Sequence, residues 1–276
     1  MKKQFKLFIL LIVIFLCSGC NGDITRAIRH EGFSVGSNFN CDYFYPKDKE
    51  DTSYDKIKYF TGSHVINVSG KIYETSLDKP YTSGQNCKYA DTNLVVKAIF
   101  DNKIIKAEDN KYYYLVAQNN VNPYTLVPET DNAYYVYDLL LRQDDVVKAV
   151  TANSSTGEYY ILKTDGNVYT YTISKPDRNS PAVVNSVSVV YNKNDFGAAI
   201  TDFNYAGESV NTFVRTGDKV FRMRITNSKE CSSYAEVPCQ YQMMESEIFN
   251  TYGDKIISFN GSTLITSYKL MFSVES

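Results

Sequence analysis

The sequence predicts an all-β protein assembled from repeated antiparallel units. Composition is the first reason. Its 276 residues include 24 Tyr and 15 Phe but no Trp, and Val, Ile and Thr are frequent. Aromatic and β-branched side chains suit a half-buried pleated surface. Punctuation is the second reason. Gly, Asn and Asp fall between short apolar runs, where tight turns need them. Repetition is the third. A plan of strand, link, strand, tight turn, strand begins near residues 56, 94, 146, 199 and 247.

The first unit places strands at 56–60 and 64–68, a turn at Ser69 and Gly70, and a strand from Lys71. The second runs through 94–100 and 103–106, turns at Asp109 and Asn110, and continues over 112–116. A fourth strand is expected at 134–141. The third unit is the clearest, with strands at 146–150, 158–163 and 168–173 around an Asp165-Gly166 turn. Asp-Gly flanked by β formers is a strong hairpin signal. A fourth strand is expected at 183–191. The fourth unit uses 199–203, 210–216 and 219–225, with a turn at Gly217 and Asp218. In its last strand Val220, Arg222 and Arg224 alternate with Phe221, Met223 and Ile225, which is the period of a strand. The fifth unit starts at 247–249 and continues through 255–259 and 263–268, with a turn at Asn260 and Gly261.

Units of roughly 40–50 residues with four strands resemble the blades of β-propellers in general. The Gly-His and Trp-Asp signature of the WD family is absent. The resemblance implies a small propeller of about five blades, or six if strands around Phe33 to Tyr45 form another. Stacked blades would bury one another's apolar faces and leave short edges. The alternative is a β-sandwich or an irregular β-meander whose hairpins merely look alike. This domain is expected over 51–276, and its loops at 118–132, 174–182 and 226–240 are natural places for recognition.

The N-terminus carries an address. Lys2, Lys3 and Lys6 precede an unbroken apolar run of ten residues, 7–16. That run is short of the roughly 20 residues that span a bilayer, and it suits the core of a signal peptide. Cys17, Ser18, Gly19 and Cys20 follow. Ser18, Gly19 and Cys20 resemble the lipobox of bacterial lipoproteins, although Cys17 stands where that pattern has an aliphatic residue. The resemblance implies that residues 1–19 form a signal peptide and that the Cys20 thiol carries a diacylglycerol. More than one acyl chain gives stable anchoring. The expected location is therefore the extracytoplasmic face of a membrane, inner or outer. The segment 20–50 would join anchor to domain through a short helix. There Asp23 suits an N-cap and Gly32 a C-terminal stop, Ile24, Ala27 and Ile28 share one face, and Arg26, Arg29 and His30 are polar.

Loss of the leader and its three lysines would move the net charge from −2 to −5. A mildly acidic chain without a basic run is a poor partner for nucleic acid. With Cys17 cleaved away and Cys20 acylated, Cys41, Cys87, Cys231 and Cys239 remain. An even number of cysteines in an oxidising compartment predicts disulfides. Of three possible pairings, Cys41–Cys87 and Cys231–Cys239 are favoured. A zinc site is the rival reading, but no pair has C-x₂₋₄-C spacing. No metal or other cofactor is expected.

Catalytic motifs are scarce. The nucleophile elbow, the metalloprotease helix, the P-loop and the dinucleotide fingerprint are all missing. Only His30 and His64 could serve a triad. Carboxylates at the beginnings of inner strands are the one enzymatic route, with Asp145, Asp202 and Glu247 as candidates for glycoside hydrolysis. The leading expectation is a non-catalytic, membrane-tethered module that binds or scaffolds a protein or glycan partner. An envelope glycoside hydrolase and an envelope assembly factor are the alternatives.

Overall fold

In this computed structural model the described residues are 33–45, 47, 51, 53, 56–77, 85–90, 92–115, 124–131, 134–174, 181–207, 212–216, 219–227, 237–246, 256–259, 263–266 and 270–274. The leader, Cys20 and the expected helix at 23–32 lie outside them. No described helix is long and apolar enough to cross a membrane.

The protein is all-β, as the composition predicts. Strand β1 (Phe33–Asn40) comes first. The first antiparallel meander follows: β2 (Ile57–Phe60), β3 (His64–Asn67), β4 (Ile72–Leu77) and β5 (Gln85–Tyr89). A second contains β6 (Val96–Phe100), β7 (Ile104–Ala107) and β8 (Tyr112–Tyr114). Helix α1 (Tyr134–Leu141) precedes the third, made of β9 (Val146–Asn153), β10 (Glu158–Lys163), β11 (Val168–Ser174) and β12 (Val183–Tyr191). The fourth is β13 (Ile200–Asn204), β14 (Phe213–Thr216), β15 (Lys219–Ile225) and β16 (Tyr241–Glu245). The fifth is β17 (Ile256–Phe259), β18 (Thr263–Thr266) and β19 (Leu270–Val274). Here β1 supplies the fourth strand, pairing antiparallel with β19 from Phe33↔Val274 onward.

Two short parallel pairings link these meanders into larger open sheets. β1 meets β5 at Phe39↔Gln85 and Asn40↔Asn86, giving the eight-stranded order β17-β18-β19-β1-β5-β4-β3-β2. β6 meets β9 at Ile99↔Lys148 and Phe100↔Ala149, giving the seven-stranded order β12-β11-β10-β9-β6-β7-β8. The fourth meander stands as its own sheet, β13-β14-β15-β16.

Three meanders share one turn between their second and third strands. The N–H groups of Asn67, Ala107 and Lys163 donate to the carbonyls of Lys71, Lys111 and Asn167 at 3.0, 3.0 and 3.1 Å. The N–H groups of Gly70, Asn110 and Gly166 donate back to Asn67, Ala107 and Lys163 at 3.0 Å each. The residue at that fourth position has positive φ in every case: 82° at Gly70, 62° at Asn110 and 81° at Gly166. This is a hairpin whose last turn residue is left-handed, a conformation open to Gly and tolerated by Asn. All three turns fall where the sequence predicts them. The expected turns at 217–218 and 260–261 lie outside the described residues.

The cores lie between successive meanders. Tyr59, Ile66 and Ile72 of the first pack on Val96, Ile99 and Ile105 of the second. Ala98, Phe100 and Ile104 of the second meet Val146, Ala149 and Ile161 of the third. Val150, Leu162 and Val168 of the third meet Ile200, Phe203 and Val214 of the fourth. Phe60, Val65 and Tyr73 of the first share a cluster with Ile265 of the fifth. Neighbours along a strand serve opposite cores, as Val65 with Ile66 and Ile161 with Leu162 do. A strand alternates its side chains between faces, and both faces here are covered.

One element corrects the sequence reading. Residues 134–141, expected as a strand, form α1. Tyr134, Tyr137, Leu140 and Leu141 recur at helical spacing and pack into the core between the second and third meanders. Tyr112 donates its hydroxyl to Asp138 at 3.1 Å, and Asp138 pairs with Arg142 one turn on. The tyrosines favour strand locally, but an apolar run this short is ambiguous, and packing decides it.

Candidate functional site

A cleft of about 320 Å³ opens where β2, β6 and β9 begin. Val96, Ala98, Val146 and Val147 form its apolar wall, and Lys58, Lys97, Lys106, Gln143, Asp144 and Thr164 supply its polar groups. Tyr59, next to Lys58, helps to hold these strands together. Its ring is buried, and its hydroxyl donates to the Val147 carbonyl at 3.1 Å, tying β2 to β9.

The three lysines differ in their surroundings. Lys106 is buried, and its ammonium donates to the Arg142 carbonyl at 3.0 Å. Its nearest carboxylate is Asp144 at 3.7 Å, whose side chain is 90% exposed. Solvent screens such a pairing strongly. Lys97 projects outward. Lys58 is half-buried, with its ammonium 5.1 Å from the centre of the Tyr59 ring. Burial pushes its pKa down, because a desolvated ammonium loses hydration. Among the described residues Lys58 makes no hydrogen bond or ion pair.

The predicted carboxylates have other partners. Asp145 adjoins the cleft rim, and its Oδ2 lies 3.0 Å from Lys163 Nζ. That ammonium also donates to Gln143 at 2.9 Å and lies 5.4 and 5.8 Å from the rings of Tyr169 and Tyr171. Burial opposes its charge, but hydrogen bonds to Asp145 and Tyr171 leave the Lys163 pKa raised. Asp202 is buried and bonded at 2.8 Å to the buried Lys148 ammonium. It also accepts from the Phe203 N–H at 2.8 Å. Its charge is felt by two neighbours. Burial and Asp202 together push the Tyr59 hydroxyl pKa up, whereas burial pulls the Arg215 pKa down against the pull of Asp202. Glu247 lies outside the described residues.

Thus the structure puts Asp145 and Asp202 in separate lysine ion pairs. The cationic cleft beside them was not singled out from the sequence. Its lysines belong to no motif, and their only trace is that Lys58 and Lys97 sit near the starts of first strands. His64 opens β3 as expected and is buried, with Nδ1 2.9 Å from the Ser63 hydroxyl. Among the described residues no three His, Cys, Asp or Glu side chains gather into a metal-binding group. Cys41 is buried one position beyond the Asn40↔Asn86 pairing, which brings it beside Cys87 on the backbone. Neither a protein-family model nor a curated protein sequence matches this chain.

Proposed function

We propose that this chain is a lipid-tethered, extracytoplasmic module that binds or scaffolds a partner without catalysis. The observation that carries the tether is the apolar run at 7–16 followed by Cys17, Ser18, Gly19 and Cys20. Placing a folded β domain on acyl chains at Cys20 holds it near a membrane surface. Protein or glycan chains of the envelope, or partners outside it, are then within reach.

The domain is read as a five-bladed propeller. Five successive meanders, cores lying between neighbours, and a last sheet completed by β1 all favour that arrangement. So does the approach of the first strands: β6 pairs with β9, and β17 lies against β2. No separate sixth blade is needed, since β1 joins the fifth. Disulfides Cys41–Cys87 and Cys231–Cys239 belong to the same reading. Cys41 and Cys239 are both in the disulfide-bonded state. Neighbouring strands run about 4.8 Å apart, within the Cα separation a disulfide allows. The hydrolase alternative would need two carboxylates poised across a substrate; Asp145 and Asp202 are each paired with a lysine, which favours the binding reading.

The test is membrane fractionation of cells expressing wild type or Cys20→Ser, with cross-linking and mass spectrometry of bound material. The wild type should sediment with membranes and capture a reproducible partner, while the variant should be released. A variant that stays in the membrane fraction would overturn the tether.

A further inference from the structure

We infer that the cleft between β2, β6 and β9 binds a phosphate group through Lys58, Lys97 and Lys106. Charge is the first argument. Three lysines and a single carboxylate, that of Asp144, are among the residues that line the cleft, leaving two positive charges in excess. A phosphate dianion matches that excess. Lys58 is the second argument. Lys58 is half-buried, and its ammonium has the Tyr59 ring beside it but no oxygen acceptor among the described residues, which leaves its charge incompletely paired. The nearby Lys148 shows the completed arrangement, with Asp202 at 2.8 Å. Geometry is the third. Lys106 is held in place by the Arg142 carbonyl, so one cation is fixed before any ligand arrives. A volume of about 320 Å³ is at the small end of ligand sites and suits a single phosphate with little attached. Gln143 and Thr164 at the rim add neutral hydrogen-bonding groups.

This inference deepens the binding-module reading by naming what the module recognises: a phosphate, free or as an ester on a larger molecule. The full chain in a non-ionic detergent is titrated with inorganic phosphate and, separately, with glycerol phosphate, at constant ionic strength. Calorimetry gives the affinity and thermal unfolding gives the shift, because a ligand of the native state alone raises the unfolding temperature. Saturable binding at one site is expected for both probes. Tighter binding of the ester points to phosphate carried on a polymer or lipid, and tighter binding of the inorganic ion to free phosphate. Lys58→Met should weaken binding by about tenfold or more, as loss of a charge-assisted hydrogen bond does. Lys97→Gln, at an exposed position that cannot disturb the core, should weaken it by a smaller factor and lower its salt dependence. Absence of saturable binding by the wild type overturns the inference. So does unchanged affinity in folded Lys97→Gln together with unchanged affinity in Lys58→Met. Because the titration needs no membrane partner, its failure is distinguishable from failure of the tether in the Cys20→Ser experiment.

Discussion

The turns at Gly70 and Gly166 and the turn at Asn110 have the same hydrogen bonds and different surroundings. Gly70 and Gly166 are buried, and each gives its carbonyl to the first N–H of the next meander, from Val96 at 2.9 Å and from Ile200 at 3.0 Å. A Cβ on Gly70 would meet the Val96 carbonyl oxygen at 2.7 Å, and one on Gly166 would meet the Ala199 Cβ at 2.6 Å. Asn110 is exposed. Its meander is followed by α1, and the third meander docks elsewhere, through β6 and β9 and through Asp101, whose carboxylate accepts from Thr151. A shared turn geometry therefore sets which residues are tolerated, and the neighbouring unit sets which is required. Positive φ alone admits Asn, but positive φ against the next strand admits only Gly.

The strongest test of that contrast is at the junction of the third and fourth meanders, where the Gly166 contact is reinforced by the Lys148–Asp202 pair. Asp202→Ala strands a buried ammonium and should cost about 3–5 kcal/mol, read as a lowered denaturant midpoint. Replacing both partners by Met and Leu should recover most of that loss. Next come Gly166→Ala and Gly70→Ala, each expected to cost about 2–3 kcal/mol from left-handed strain and the close approach together. Asn110→Ala should cost only about 1 kcal/mol, and Asn110→Gly should be neutral within about 0.5 kcal/mol. Equal losses at all three turns in the same unfolding assay would refute the role assigned to the neighbouring strand.

The smallest effect is a pH dependence confined to the first meander. Burial lowers the His64 pKa, with Glu74 opposing. The folded state therefore prefers neutral imidazole. Its contribution is fully present above the unfolded pKa of about 6.5 and is lost as pH falls through the lowered folded value. Stability should decline with acid in that window, and His64→Gln should flatten the decline. An unchanged slope in the variant would assign the acid sensitivity to other groups.

Much of the architecture is legible in the sequence because turns are local. Ser69 with Gly70, Asp109 with Asn110 and Asp165 with Gly166 each announce a hairpin, and the strands at 183–191 and 219–225 are bounded as predicted. The misses are positions that distant residues decide. The apolar face of α1 is defined by a core to which other meanders contribute. β5, β16 and β19 are short or weakly patterned, and their pairing partners stabilise them, while β1, expected as a strand, finds its place only through β19. The Asp145 and Asp202 positions were visible, but their lysines were not. Lys148 precedes Asp202 by 54 residues, and only the stacking of two meanders makes them neighbours. The cleft lysines escaped for the same reason.

The pairing of β1 with β19 also sets a timetable. Of the described strands β1 is made first, and it finds its antiparallel neighbour only when β19, the last of them, has been made. Meanders one to four can form from local contacts as the chain lengthens, but the final sheet must close a loop of nearly the whole domain. Until then β1 presents an open edge, the kind of edge that recruits stray strands. The slow step of maturation should accordingly be this last docking, and the interval before it is when the nascent chain most needs protection.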